Sequence, residues 1–143
     1  MGHDEITFKL TSDETEGALL AVEVQLPPGG GPPVLHRHDP AEVYRVERGE
    51  LAIYIVDDDG SVQRTVVAPG GVVHIPGGRE HTVRNESGTK ALAYVVFAPG
   101  TEMERFVRAA GALATGGTPQ MEDVLAVAER HGVELTGPVP PGR

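Results

Sequence analysis

Two glycine-bounded stretches constrain this chain more than anything else in it: Gly30 to Gly49, GGPPVLHRHDPAEVYRVERG, and Gly70 to Asn85, GGVVHIPGGREHTVRN. The first sets His36 and His38 two apart, then Glu42 and Tyr44. Side chains of an extended strand alternate between its faces, so His36 and His38 look the same way and Arg37 looks the other. Glu42 joins that face after the Asp39-Pro40-Ala41 corner, where Pro40 keeps its predecessor out of helix. The second stretch adds His81, bracketed by Pro76-Gly77-Gly78 and Asn85. Three imidazoles and one carboxylate form a donor set for one divalent transition metal: Fe, Mn, Ni, Cu or Zn. Buried without a cation, the same four groups would be costly, so His36, His38, Glu42 and His81 are expected to bind an ion.

The spacing Gly30, five residues, His36-x-His38, three residues, Glu42, six residues, Gly49 resembles the first motif of the cupin superfamily. Gly70, five residues, Pro76-x-Gly78, two residues, His81, three residues, Asn85 resembles the second. A lone His-x-His would be weak, but two long motifs matched in order are specific. The resemblance implies an all-β fold, the double-stranded β-helix or jelly-roll barrel, with short C-terminal α-helices packed outside it. Among small single-domain cupins of the cupin 2 type, the chain resembles the quercetinase-like group, whose helical tails MEDVLAVAERHGVEL is similar to.

Composition narrows the partners. At 143 residues the length fits a single domain, with the barrel over about 5–99, a helical appendage over about 101–132 and a flexible tail over 133–143. There is no cysteine, which excludes disulfides and thiolate metal sites. Twenty-one acidic residues against 12 basic ones give a net charge of −9, which opposes nucleic acid and anionic membranes as partners. The polar start MGHDEITFKL is not that of a signal peptide, and no apolar run approaches the roughly 20 residues of a membrane helix. A cytoplasmic location is therefore expected. Nineteen glycines and 12 prolines favour short strands and tight turns over a helical bundle.

Strands are expected at Ile6–Leu10 and Ala18–Leu26, and the resemblance suggests that they complete a neighbouring subunit's sheet. Val43 to Val56 reads as a hairpin turning at Arg48-Gly49-Glu50. Leu51 to Val56 is apolar on both faces, one for the barrel interior and one for a partner sheet or second subunit, from which a homodimer is expected. Asp57-Asp58-Asp59-Gly60 is a hairpin tip and lacks the spaced ligands of a calcium loop. His74 is expected to face outward, and His3 and His131 are assigned no role. After Gly100 the period becomes helical through Met103, Phe106, Val107 and Ala110, on the outside of the barrel. A second helix is expected from Thr118 as N-cap and Pro119 at the first position, with Met121, Val124, Leu125 and Ala128 on one face.

Beside the ligands, Tyr44 is the polar interior candidate, Val46, Ile53, Ile75 and Val83 the apolar wall, and Arg79 a rim cation for an anionic substrate. A mostly apolar pocket with one metal suits a small organic molecule. The resemblance implies a metal-dependent dioxygenase for a small enol, phenolic or flavonol-like substrate, with Glu42 as general base. The alternatives are a metal-dependent isomerase, lyase or decarboxylase without oxygen chemistry, and a non-catalytic small-molecule-binding cupin. If the ligand set is right, His36→Ala and His81→Ala will each abolish stoichiometric metal by elemental analysis. Full metal in both variants would refute it.

Overall fold

The computed structural model describes residues 4–117 and 119–139. The chain runs β1 (Glu5–Leu10), β2 (Leu20–Leu26), β3 (Val34–Arg37), β4 (Ala41–Arg48), β5 (Leu51–Val56), β6 (Val62–Val67), β7 (Val72–Ile75), β8 (His81–Arg84) and β9 (Ala91–Ala98). Two helices follow, α1 (Thr101–Ala114) and α2 (Met121–Arg130), then β10 (Glu134–Pro138). The strands form two antiparallel sheets in the orders β1-β2-β9-β4-β7 and β10-β3-β8-β5-β6, a jelly roll with both helices outside the sheets.

Alternation builds the interior. Along β9 every second residue is buried, from Ala91 through Ala93 and Val95 to Phe97, and these meet Leu20, Val22 and Leu26 of β2. The opposite sheet answers with Leu51 and Ile53 of β5 and Val83 of β8. Leu20, Val46, Ile53, Ile75 and Val95 are at most 1% exposed. Each such side chain contributes about 1.5–3 kcal/mol of burial, so this apolar mass can carry a polar cluster at one end of the barrel. Asn85, fully buried, donates to the Leu26 and Thr89 carbonyls and accepts from Ser87, which closes the turn after β8.

Four expectations are corrected. Val43 to Val56 is not a hairpin, because β4 and β5 lie in different sheets and Arg48-Gly49-Glu50 is the corner between them. Gly49 takes φ +70°, and a Cβ there would sit 2.5 Å from the Lys90 carbonyl oxygen. Crossover corner and hairpin turn use the same glycine, so the sequence pattern does not separate them. Second, β1 and β2 complete this chain's own sheet: β2 pairs with β9 from Leu20↔Phe97 to Leu26↔Ala91, and β1 lies outside β2.

Third, the tail over 133–138 is held: Val133 is buried and β10 pairs with β3, where the Arg37 guanidinium donates to Glu134 at 2.9 and 3.0 Å. Gly137 and Pro138 suggest fraying, yet an edge strand tolerates a missing donor. The outer face of β5, Ala52 and Tyr54, packs with Leu35 of β3 and with Val139 just after β10. Residues 140–143 lie outside the described residues. Fourth, α2 starts at Met121 with Gln120 as its N-cap, so Pro119 precedes the helix. Thr118, the expected cap, and His3 lie outside the described residues. Ala128 is buried, whereas Met121 and Leu125 stay exposed.

The two corners that carry the histidines are clamped together. The Gly78 amide donates to the His38 carbonyl at 2.8 Å, and a Cβ on Gly77 would lie 2.0 Å from the Asp39 carbonyl oxygen. Gly77→Ala must push the corners apart. The expected cost is about 1–3 kcal/mol in chemical denaturation, with a fall in bound metal. Unchanged stability and metal content would show that the contact does not position the site.

Candidate metal centre

His36 and His81 are cross-strand partners of β3 and β8, which brings their rings together by register alone. His38 follows at the end of β3, and Glu42 enters from β4 in the facing sheet, opposite Phe97 and Ile75. The three ring centroids lie 4.5, 5.0 and 5.8 Å apart, and each histidine offers a ring nitrogen within 4.8 Å of the others. His38, Glu42 and His81 are buried at 5%, 3% and 2% exposure, and His36 is half-buried nearer the opening. Arg37 points outward to Glu134 and Glu80, as the alternation requires.

Every ring is oriented by the same device. His36 Nδ1–H donates to the Val34 carbonyl at 3.1 Å, His38 Nδ1–H to Pro40 at 2.9 Å and His81 Nδ1–H to Arg79 at 2.7 Å. A carbonyl can only accept, so the proton of each neutral ring sits on Nδ1 and the Nε2 lone pair is free. Metal-ligating histidines are held in this way. The Nε2 atoms of His38 and His81 and Oε2 of Glu42 are buried and have no partner in hydrogen-bond geometry among the described residues. Oε2 nevertheless lies 2.5 Å from His81 Nε2 and 3.4 Å from His38 Nε2. Acceptors that close repel unless a proton or a metal ion lies between them, so the residues present fit a cation.

The electrostatics agree. Burial alone would raise the Glu42 carboxyl, but the His38 and His81 rings beside it hold it well below the usual carboxylate range. Burial disfavours a charged His81, and Glu42 outweighs this and raises it. Burial, reinforced by His81, lowers His36 to about 4, so its ring is neutral at ordinary pH. The Tyr44 hydroxyl donates to Glu42 Oε1 at 3.3 Å, and burial with the Glu42 charge raises its phenol well above its ordinary value.

A cavity of about 600 Å³ opens from His36, His38 and Glu42 toward solvent. Tyr44 and Val83 line it. Val46, Ile53 and Ile75 face inward but belong to the packed core and not to this wall. Pointing into a barrel places a residue on a cavity only where the barrel is not filled. Arg79 turns away to Asp58, at 2.8 Å, and to the Val56 carbonyl. His74 is exposed. Phe97, on a strand expected to supply apolar wall, lines the cavity with Met103 and Val107 of α1; unforeseen were Phe8 and Phe106, which bring all three phenylalanines of the chain to it. The alternation of β9 and the helical stripe from Met103 pointed inward, but neither reveals which end stays open. Among the described residues, no helix is long and apolar enough to cross a membrane.

Comparison with known proteins supplies the context. The Cupin_2 model of a cupin domain matches residues 22–97. No curated protein is significantly similar. The solved structure of TT1209 from Thermus thermophilus is 32% identical, with a TM-score of 0.52, over 59% of this chain and 75% of that one. A structure of oxalate oxidase is 26% identical, with a TM-score of 0.58, over 90% of this chain and 66% of that one. A predicted oxalate decarboxylase from Thermotoga maritima, 22% identical with a TM-score of 0.59 over 67% and 80%, shares the fold.

A metal ion entering this centre must displace the proton that His81 otherwise carries beside Glu42. The folded His81 value lies above its ordinary 6.5, so the competing proton is present below that value and lost as pH rises through it. Apparent zinc or manganese affinity is therefore expected to climb with pH. Calorimetry in buffers of different ionisation heat should register proton release on metal binding that shrinks as pH rises. Affinity flat with pH and heats independent of buffer would overturn this account.

Proposed function

The chain belongs to the Cupin_2 family of cupin domains, and on that footing we propose that it is a metal-dependent dioxygenase acting on a small enol, phenolic or flavonol-like molecule. The observation that carries the reading is the meeting of three Nδ1-anchored histidines with an unpartnered Glu42 oxygen at the base of an apolar cavity. His36, His38, Glu42 and His81 would hold the ion. When bound, a divalent transition metal supplies Lewis acidity toward a substrate hydroxyl and a redox partner for dioxygen.

The protein's own groups do the rest. Glu42 is the one carboxylate among these donors, kept ionised, and it accepts the proton of the enol or phenol. Its two oxygens are differentiated, with Oε1 held by the Tyr44 hydroxyl while Oε2 faces the histidine nitrogens. Tyr44 thus positions Glu42 and stays protonated itself. Phe97, Val83 and Met103 exclude water around the proton-transfer site, which strengthens the electrostatics there. The oxalate oxidase structure is a precedent for redox chemistry on this scaffold, but oxalate itself suits this cavity poorly. Among the described residues, Arg108 is the only arginine or lysine on the wall, and it is already bonded to Glu104 at 2.9 Å. A compact dianion would find no uncommitted cationic side chain among them.

Oxygen uptake by protein loaded with Fe(II), Mn(II) or Ni(II), given a panel of flavonols and 1,3-diketones, tests the reading. Glu42→Gln is expected to slow turnover about 100-fold or more, the scale of a lost general base. Tyr44→Phe is expected to lose less, about tenfold, through kcat more than KM. Turnover that persists under strict anaerobiosis would remove the dioxygenase and favour the isomerase, lyase or decarboxylase. Metal and ligand bound with no turnover would favour a binding module.

A further inference from the structure

The cavity has a direction. At its base are the buried, unpartnered His38 Nε2 and Glu42 Oε2, and one of its walls is α1. That helix turns the bulky Met103, Phe106 and Val107 to the cavity first, with Met103 4% exposed, and the small Ala110, Gly111 and Ala114 further along, Gly111 being exposed. From residue 103 to residue 111 the helix rises about 12 Å.

Gly111 is the anomaly in this stripe. Glycine within a helix is unfavourable by up to about 1 kcal/mol relative to alanine, and two structural reasons commonly justify it. Neither applies here. Gly111 does not take a positive φ, and a Cβ there would have no atom within 4 Å. Neither backbone conformation nor close packing requires it, and the space it leaves opens on the cavity. The charges on that wall are already engaged. The Arg108 guanidinium lies 4.1 Å from the centre of the Phe8 ring and is bonded to Glu104, while the Asp4 carboxylate accepts from the Gly31 amide at 3.3 Å. A ligand therefore meets unpartnered polar atoms at the base, apolar surface along α1 and no uncommitted arginine on the wall.

We infer that the site takes an amphipathic ligand whose oxygen-donor head sits at the histidines and whose apolar body lies along α1 and leaves past Gly111, which sets the width of the exit. This rests on the metal-binding reading and adds the shape of the substrate class to it. Gly111 is a specificity-determining residue: it admits a long or branched body without touching the reacting end.

The probes are straight-chain hydroxamic acids, from acetohydroxamate to octanohydroxamate, titrated calorimetrically into zinc-loaded full-length protein. Each methylene buried on the wall should tighten binding by up to about fourfold. Gly111→Leu should erase the gain of the longest members while leaving acetohydroxamate affinity, zinc content and helical circular dichroism unchanged. Gly111→Ala should raise thermal stability and keep long-chain binding, since one methyl group falls in open space. Equal affinity at every chain length, or an unaltered length dependence in Gly111→Leu, overturns the inference while the metal reading stands. Absence of stoichiometric zinc, or failure of acetohydroxamate itself to bind, overturns both.

Discussion

Lone pairs facing one another hold the logic of this molecule. His38 Nε2, His81 Nε2 and Glu42 Oε2 are turned inward with no hydrogen-bond partner among the described residues, and two of the approaches are 2.5 and 3.4 Å. Nothing about the barrel's stability calls for that arrangement, since unsatisfied buried acceptors disfavour folding. Only positive charge among them makes it favourable. The backbone carbonyls of Val34, Pro40 and Arg79 exclude the alternative in which the neutral rings turn a proton inward, because each already takes the Nδ1–H. The protein has committed its histidines to donate electron pairs, and that commitment is made by main chain.

The jelly roll supplies what this requires. His36 and His81 are neighbours because β3 and β8 pair, while Glu42 arrives from the other sheet, so the site spans the interior. The Asp39 and Gly77 corners then fix the separation of the two stretches through the Gly78–His38 hydrogen bond and a contact too close for a side chain. A helical scaffold can also bring histidines together, but here the positioning is done by strand register and two corners. The apolar mass of Leu20, Val46, Ile53, Ile75 and Val95 lets one end of the barrel remain polar and open.

The features legible in the sequence are those governed by period. Alternation put His36 and His38 on one face with Arg37 on the other, and it put Glu42 beside Tyr44. It also sent Val46, Ile53 and Ile75 inward, correctly as to direction and without information about the cavity. What alternation does not encode is partnership. The β4–β5 corner has the residues of a hairpin, β10 looks like a frayed tail until Arg37 is seen holding Glu134, and Arg79 looks like a rim cation until Asp58 is seen beside it. The orienting carbonyls were illegible for a different reason: every residue has one, so no residue type marks them.

The same distinction bears on substrate. A metal and a carboxylate are shared property of many chemistries, so the donor set alone does not choose among them. The wall discriminates more finely. With phenylalanine making up just three of 143 residues, all three placed on one cavity, the aromatic surface of the chain is concentrated where a ligand would lie. The arginine there, Arg108, is spent on Glu104 and on the face of Phe8, so it shields apolar surface and does not recruit an anion. Desolvating a second carboxylate against that wall would be costly, whereas burying a hydrocarbon or ring would be favourable. The proposed head-and-body substrate follows from that asymmetry: uncommitted polar atoms are gathered at the base of the site, and the path along α1 from there to solvent favours carbon.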